Sequence, residues 1–326
     1  MFGGGPSFNP DTDIPDLSGK VVLVTGGMKP TKPSDIQSHL ENNSPGNNGL
    51  GVGSVLQLAK HNAHVYLAAR TPSKAESAIA AVKKEVPEAN ITFLQLDLAS
   101  LESVKKAADT FNASSPRLDI LMNNAGVMAM APGTTQEGYE IQFGTNHVGH
   151  ALLTSKLLPT LRKTAEEPNS DVRIINLTSA GHLLAPKGGL VLADASGPMA
   201  DYNTWTRYGQ SKLANILFTK DLAERYQSIK STAVHPGAVD TGLSGEFAKS
   251  HPWLAYPIKL IKAVTTNSVQ EGAKGQLWCA TSKDAKSGAY YTPVGKEDGG
   301  SGYTQDKKLR EKLAKWTEAE LAKHGY

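Results

Sequence analysis

Short apolar runs alternate with helical patterns of ten to fifteen residues along most of this 326-residue chain. The first run, residues 21–24, is rich in β-branched residues and ends at Gly26 and Gly27, which is typical of a strand buried on both faces of a parallel sheet. Alternation of this kind predicts an α/β protein with a single doubly wound parallel sheet and helices on both faces. The predicted strands are 21–24, 64–69, 91–96, 118–122, 172–177 and 230–235, and the predicted helices are 50–61, 71–85, 100–112, 148–162 and 208–226.

The same alternation suggests how the chain is organised. Residues 1–16, rich in glycine and proline, are predicted to form an arm on the surface or to be mobile. Residues 17–300 are assigned to one domain, and residues 301–326 to a helical tail. Within the domain, residues 237–268 contain an apolar segment, 247–264, that is interrupted by Pro252 and Pro257. They are interpreted either as a lid over a hydrophobic substrate or as helices packed on the edge of the sheet.

Charge and composition exclude several classes of function. A net charge of +3 is too small to indicate nucleic-acid binding, and the single cysteine excludes an internal disulfide. No apolar run approaches the ~20 residues that span a bilayer, and the N-terminus has no secretory signal pattern. A cytoplasmic protein is expected, with contact between the lid segment and a membrane surface left open. No metal site is predicted: His147 and His150 lack a carboxylate or cysteine partner, so both are expected to pack among helices.

One segment interrupts the pattern. Residues 28–46 are polar, contain three prolines and show neither helical nor strand periodicity. They stand where a turn between a strand and a helix is normally a few residues long. A surface loop of this length costs little entropy. The segment is therefore interpreted as a tolerated flap, as a block to the turn it interrupts, or as the translation of a retained intron.

Without that segment, the turn follows the pattern T-G-x-x-x-G-x-G between a strand and a helix. Glycines there permit a tight turn, a close approach of the backbone to a pyrophosphate, and close helix–strand packing. The helix that follows would direct its N–H groups towards phosphate oxygens. A dinucleotide-binding turn is therefore predicted, although glycines alone are also compatible with a structural turn. The residues assigned to it are Thr25, Gly26, Gly27, Asn48, Gly49, Leu50 and Gly51.

Two positions at strand ends extend this prediction. The second strand is followed by Arg70 rather than by an acidic residue, and a guanidinium suits a 2′-phosphate, so NADP(H) is favoured over NAD(H). The alternative is a solvated charge. After the third strand, Asp97 stands where it could accept a hydrogen bond from an adenine amino group, or could cap a helix. Leu98 is assigned to the cofactor site with it.

A tyrosine and a lysine at i and i+4, Tyr208 and Lys212, share one helix face. A free tyrosine has a pKa near ~10, too high for proton exchange at neutral pH. A nearby ammonium group, together with the charge of an oxidised nicotinamide, would favour the phenolate and lower that pKa. The pair follows a strand that ends in Asn176-Leu-Thr-Ser179. The spacing therefore predicts that Tyr208 transfers a proton.

Taken in order, these motifs resemble the short-chain dehydrogenase/reductase family over about residues 17–300. The segments that carry the resemblance are the glycine-rich turn, Asn123–Gly126 (NNAG), FGTNHVGH around Asn146, NLTS ending at Ser179, Tyr208-x-x-x-Lys212, and HPGAVDT at 235–241. The resemblance implies a Rossmann fold and a catalytic tetrad of Asn146, Ser179, Tyr208 and Lys212. It further implies that Tyr208 exchanges a proton with the substrate oxygen, Ser179 hydrogen-bonds that oxygen, Lys212 holds the nicotinamide ribose, and Asn146 anchors a relay water. The cofactor contacts that it adds are Asn124, Ala125, Gly126, Pro236, Gly237, Val239 and Thr241.

The phrase TNHVGHALLT and the long gap between Ser179 and Tyr208 most resemble the retinol-dehydrogenase-like branch, and both ends of the domain resemble its fungal members. That branch acts on retinoids, steroids, lipid-derived carbonyls and secondary metabolites. The implied activity is NADP(H)-dependent interconversion of a carbonyl and an alcohol on a small or hydrophobic substrate, with a homodimer as one allowed assembly. The alternative is a catalytically silent nucleotide-binding protein in which residues 28–46 disrupt the pyrophosphate loop.

Overall fold

The fold is built on one eight-stranded sheet. The structure, a computed structural model, describes residues 5–26, 49–237 and 269–326. The strand order is β3-β2-β1-β4-β5-β6-β7-β8; β8 runs antiparallel to β7, and the other neighbouring strands run parallel. The predicted α/β fold with a doubly wound sheet is confirmed. The strands are β1 Val21–Thr25, β2 His64–Ala69, β3 Ile91–Gln95, β4 Ile120–Asn123, β5 Val172–Leu177, β6 Ile229–Val234, β7 Tyr290–Thr292 and β8 Lys296–Asp298.

Helices cover both faces of the sheet. In β1, Val21 and Leu23 belong to one cluster of buried hydrophobic side chains, whereas Val22 and Val24 belong to the other. The continuous apolar run is therefore buried on both sides, as expected for a strand inside a parallel sheet. The helices are α1 Pro10–Asp13, α2 Leu50–Lys60, α3 Pro72–Glu85, α4 Leu101–Ser114, α5 Ile141–Phe143, α6 Gly149–Ala165, α7 Thr204–Arg225, α8 Val269–Thr281 and α9 Lys307–Lys323; a π-turn spans Gly144–Val148, and 3₁₀-helices span Ala180–Leu184 and Gly302–Gln305.

Most predicted boundaries agree with the structure within two residues, and those of β2 and β5 are identical. The largest difference concerns α7, which begins at Thr204 rather than at Tyr208. Asn203 caps this helix, because its side-chain oxygen accepts a hydrogen bond from the Thr206 N–H at 3.0 Å. As a result, Tyr208 lies in the second turn of the helix, with helical backbone both before and after it. The short strands β7 and β8 are not predicted from the sequence.

Both ends of the chain pack on the body of the domain. Phe8 and Ile14 of the N-terminal arm, and Leu17 directly after it, are buried in the cluster that includes residues of α2 and α8. At the other end, Leu313 of α9 is buried in the opposite cluster, together with residues of α6 and α7. None of the helices within the described residues is long and apolar enough to cross a membrane.

Candidate active site

Several of the predicted site residues follow strands that end at the same edge of the sheet. β1 and β4 are parallel neighbours, as are β4 and β5. The strand order turns from descending to ascending between β1 and β4, which makes this edge a topological switch point, where α/β folds bind ligands. The turns after β1, β4 and β5 therefore meet here. Gly27, Asn48, Val239, Thr241, the insert 28–46 and residues 238–268 of the predicted lid lie outside the described residues.

Tyr208, Lys212 and Ser179 come together beside β5. Tyr208 is 7% exposed and Lys212 is 5% exposed. The Lys212 ammonium lies 5.7 Å from the centroid of the Tyr208 ring and donates a hydrogen bond to the carbonyl oxygen of Leu177 at 3.2 Å. The Ser179 side chain lies next to the Tyr208 phenol and lowers the pKa of its hydroxyl. The three groups that the sequence analysis singled out thus share one buried site.

The electrostatics of this site differ from the expectation based on spacing. Burial raises the pKa of Tyr208, and the Ser179 side chain lowers it by a smaller amount. Burial also lowers the pKa of Lys212 to about 8. The expected lowering depends on the Lys212 ammonium together with an oxidised nicotinamide, whereas in the chain alone the removal of the phenol from water dominates the pKa of Tyr208. Lys212 is instead the group whose pKa moves close to neutral.

Asn146 lies within the π-turn Gly144–Val148, and this residue is fully buried. Its side-chain amide holds the backbone of Val127 on both sides: the amide oxygen accepts from the Val127 N–H at 2.8 Å, and Nδ2 donates to the Val127 carbonyl at 2.9 Å. A Cβ atom on Gly126 would lie 3.1 Å from Oδ1 of Asn146 and 3.3 Å from Nζ of Lys212. Glycine at position 126 thus permits the two side chains to flank the backbone. Single π-turns inside helices are frequent at functional sites.

The turn after β1 packs against the segment that follows β4. Gly26 has φ +68°, and a Cβ on it would lie 2.7 Å from the Cβ of Ala125. A side chain is therefore excluded both by backbone conformation and by space. Asn124 ties the two segments together, because its side-chain Nδ2 donates to the carbonyl oxygen of Thr25 at 2.8 Å. This close approach agrees with the role predicted for a glycine in the turn.

The other described cofactor candidates lie around this turn. α2 begins at Leu50 with Gly49 as its N-cap residue, which supplies no side-chain acceptor to the first turn. Thr25 of β1 is paired with Ala68 of β2, so Arg70, which is exposed, emerges next to the turn after β1. Gly51 is buried in α2, and Pro236 and Gly237, which follow β6, are partly exposed.

Asp97 and Leu98 form a tight turn after β3. An oxygen of the Asp97 carboxylate accepts from the Ala99 N–H at 3.0 Å, whereas the N-cap of α4 is Ser100. The helix-capping alternative for Asp97 is therefore wrong. A Cβ on Gly149 would lie 2.5 Å from the Leu98 carbonyl oxygen, so this turn packs directly on the start of α6.

Gly181, which sequence reasoning missed, and His182 hold this site from the segment after Ser179. A Cβ on Gly181 would lie 2.7 Å from a ring carbon of Tyr208, so position 181 leaves room only for glycine beside the phenol. The ring of His182 donates from Nδ1 to the Ser179 carbonyl oxygen at 2.8 Å and accepts from the Ser301 N–H through Nε2 at 3.2 Å. The only sequence signal was their position directly after Ser179.

His147 is buried among helices, as predicted. Its Nε2 lies 3.0 Å from the Thr317 hydroxyl of α9, and its ring packs edge-on against Phe218. Burial lowers the pKa of His147 to about 3 and that of His150 to about 4. Both histidines are therefore neutral in the folded chain at pH 7. His150 faces β1 rather than the other helices, because its Nε2 lies 2.8 Å from the Thr25 hydroxyl oxygen.

Acid should destabilise this protein through its buried histidines. A histidine whose folded pKa is below its unfolded value contributes full stability above the unfolded pKa, ~6.5, and loses it as the pH falls towards the folded pKa. For His147 the loss at pH 5 is about 2 kcal/mol. We expect His147→Gln to reduce the difference in unfolding free energy between pH 7.5 and pH 5 by about that amount, measured by urea titration. An unchanged difference in unfolding free energy would show that His147 is not responsible for the loss of stability in acid.

Comparisons with known proteins agree with this geometry. Residues 45–251 match the short chain dehydrogenase family. The chain is 37% identical to the short-chain dehydrogenase/reductase drtF of Aspergillus calidoustus, over 95% of this chain and 96% of that protein. It is 34% identical to retinol dehydrogenase 12 of Mus musculus, over 91% and 84% of the two chains. A crystal structure of an uncharacterized protein from Mycobacterium paratuberculosis superposes with a TM-score of 0.70 at 27% identity, covering 95% and 96%. With the sheet order, the switch point and the site residues at one edge, these matches show that the chain belongs to the short-chain dehydrogenase/reductase family of oxidoreductases.

Proposed function

We propose that this protein is an NADP(H)-dependent oxidoreductase that interconverts a carbonyl and an alcohol. The observation that carries the proposal is the buried group of Tyr208, Ser179 and Lys212 at the switch point. A phenol, a hydroxyl and an ammonium group together provide a proton, an oxyanion donor and a means of proton supply. These are the functions that carbonyl reduction requires of the protein.

The residues around the turn after β1 fit a dinucleotide. Gly26 and Gly126 bring the backbone within contact distance of neighbouring groups, and Gly49 leaves the first turn of α2 without a side-chain cap. A bound nicotinamide would supply the hydride. The proposed holding residues in the described part of the chain are Thr25, Gly26, Gly49, Leu50, Gly51, Arg70, Asp97, Leu98, Asn124, Ala125, Gly126, Tyr208, Lys212, Pro236 and Gly237. Gly27, Asn48, Val239 and Thr241 complete the proposal from the sequence.

Side chains of the protein would transfer the proton that carbonyl reduction requires. In reduction, the Tyr208 hydroxyl donates its proton to the substrate oxygen, while the Ser179 hydroxyl hydrogen-bonds the same oxygen. The resulting phenolate takes a proton from Lys212, whose pKa of about 8 leaves it mostly protonated at pH 7 and still able to release the proton. Asn146 would anchor a water that returns a proton to Lys212 from solvent. Alcohol oxidation reverses these transfers.

The substrate is proposed to be small or hydrophobic. Leu183 and Leu184 directly follow the site in the 3₁₀-helix after Ser179, and they are 64% and 51% exposed. Large apolar side chains that remain in water beside a site favour an apolar ligand. Retinoid-like, lipid-derived and secondary-metabolite carbonyls are the classes to test. A cytoplasmic location and a homodimer are further parts of the proposal, the latter to be tested by sedimentation.

A catalytically silent nucleotide-binding protein is the competing proposal. The family match begins at residue 45 and so leaves out β1 and residues 28–44 of the insert. Fluorescence titration with NADPH and NADH, on the full chain and on a variant lacking residues 28–46, separates the two. Tighter NADPH binding by the full chain, followed by turnover with a panel of carbonyl compounds, supports the enzyme. Binding by the full chain without turnover supports the silent alternative. Binding only by the deletion variant shows that the insert blocks the pyrophosphate loop and that the enzyme assignment belongs to the shortened chain, and binding by neither contradicts both.

Cofactor preference should depend on Arg70. We expect Arg70→Ala to weaken NADPH binding about tenfold and to leave NADH binding unchanged, because a charge-assisted bond to a phosphate is worth ~1.5–3 kcal/mol. Isothermal titration calorimetry measures both affinities. Lys83→Ala, in the last turn of α3, removes the same charge at the far end of that helix and should change neither. Equal weakening of both cofactors by Arg70→Ala would refute the assignment.

A further inference from the structure

His150 occupies a position that the proposed chemistry does not use. It is the second residue of α6, one turn after Asn146, and it is 2% exposed. Its Nδ1 lies 3.0 Å from the carbonyl oxygen of Asn146, and its Nε2 lies 2.8 Å from the hydroxyl oxygen of Thr25. A single ring therefore bridges the π-turn of the catalytic site and the last residue of β1.

The directions of these hydrogen bonds follow from their partners. A carbonyl oxygen only accepts, so Nδ1 of His150 carries the proton. Burial, with a smaller contribution from the charge of Lys212, lowers the pKa of the ring to about 4, so it is neutral at pH 7. In a neutral imidazole with a protonated Nδ1, Nε2 is an acceptor. The other acceptor within reach of the Thr25 hydroxyl, the Met122 carbonyl oxygen, is farther away at 3.4 Å, so the hydroxyl donates its proton to His150 at 2.8 Å.

A hydroxyl that donates its one proton has its lone pairs available to accept. The oxygen of Thr25 accepts from the backbone N–H groups of Asn124 and Ala125, both at 3.0 Å. The chain of hydrogen bonds runs from this segment to Thr25, then to His150, and ends at the carbonyl of Asn146. The segment continues to Gly126, which lies between the side chains of Asn146 and Lys212. Both ends of this series of hydrogen bonds therefore lie next to Asn146.

We propose that His150 is a positioning residue that couples the cofactor-side turn at Thr25 to the catalytic π-turn at Asn146. This inference rests on the proposed oxidoreductase activity. The ring fixes the Asn146 carbonyl from one side, while the Asn146 side chain fixes Val127 from the other. Loss of the Thr25 hydroxyl therefore alters the position of Asn146 through the hydrogen bonds of His150. His150 itself acts without contact with the substrate.

A double-mutant cycle in kcat tests this coupling. Thr25→Val removes the hydroxyl with little change of shape, and His150→Phe keeps an aromatic ring without nitrogens. We expect each to lower kcat about tenfold, and the double variant to be no slower than the slower single variant, because both break one chain. His150→Gln, which offers an acceptor towards Thr25, should recover at least threefold over His150→Phe. His147→Phe, a buried histidine bonded to Thr317 instead, is the matched control, and its effect should multiply with that of Thr25→Val.

If the wild type is active and the fold-losses in kcat of Thr25→Val and His150→Phe multiply in the double variant, the coupling is overturned and the proposed function stands. An inactive wild-type chain would overturn both. Nitrogen-15 NMR of the imidazole provides a measurement that needs neither turnover nor variants. Protonated Nδ1 and unprotonated Nε2 on His150 at pH 7 are expected, and the opposite tautomer would overturn the inference.

Discussion

Replacing Tyr208 by phenylalanine is expected to lower kcat for carbonyl reduction by about 10³-fold. General acid catalysis contributes ~10²–10⁴-fold, and the substituted side chain would keep the ring but lose the proton donor. NADPH affinity should change by less than about threefold, because the ring and the Lys212 side chain remain in place. The measurement is the loss of NADPH absorbance with a carbonyl compound that the wild-type chain reduces.

Tyr202 provides the matched control for that prediction. It lies six residues before Tyr208, and its hydroxyl donates to the Asp194 carboxylate at 3.0 Å. Tyr202→Phe removes the same atom and should leave kcat unchanged. If Tyr208→Phe keeps kcat within about threefold of the wild type, Tyr208 is not the proton donor, and the proposed mechanism is wrong.

Arg207→Met is expected to destabilise the protein by about 3–5 kcal/mol, because it leaves a buried carboxylate without its counter-charge. Arg207 is 1% exposed, Glu140 is fully buried, and their side chains form an ion pair at 2.8 Å. The other carboxylate oxygen of Glu140 caps the helix towards the π-turn, because it accepts from the N–H groups of Gln142 and Phe143. The pair thus joins α7, directly before Tyr208, to the start of α5.

The double variant Arg207→Met, Glu140→Gln separates the loss of contact from the stranded charge. A glutamine keeps an acceptor for the helix cap but carries no charge, so we expect the double variant to regain more than half of the lost stability. Urea titration at pH 7.5 gives the unfolding free energies. A double variant as unstable as Arg207→Met alone would show that packing, rather than the buried charge, dominates the loss.

The sequence was sufficient for the sheet and for the grouping of Tyr208, Lys212 and Ser179 because these rest on local patterns. The apolar run of β1 reveals burial on both faces, and the spacing of Tyr208 and Lys212 places both on one helix face. Spacing gives the distance from Tyr208 to a charge but not the extent of burial, which raises the pKa of Tyr208 in the chain alone. The three residues of β7 are too few to show a period at all.

The contacts that hold the site were missed for a different reason. Thr25 and His150 are 125 positions apart, and Glu140 and Arg207 are 67 apart, so no periodicity within either segment links them. A histidine at i+4 from Asn146 indicates a shared helix face but not what that face contacts.

Contacts from residues after position 300 imply that the catalytic site is completed late in synthesis. His182, beside Ser179, is held by Ser301, and His147, beside Asn146, is held by Thr317 of α9. Ribosomes deliver Ser301 and Thr317 after all of the proposed site residues. A nascent chain can therefore form its glycine-rich turn and most of its sheet before the catalytic groups are held in place. Shortened products that end before α9 are expected to retain part of the fold without a competent site.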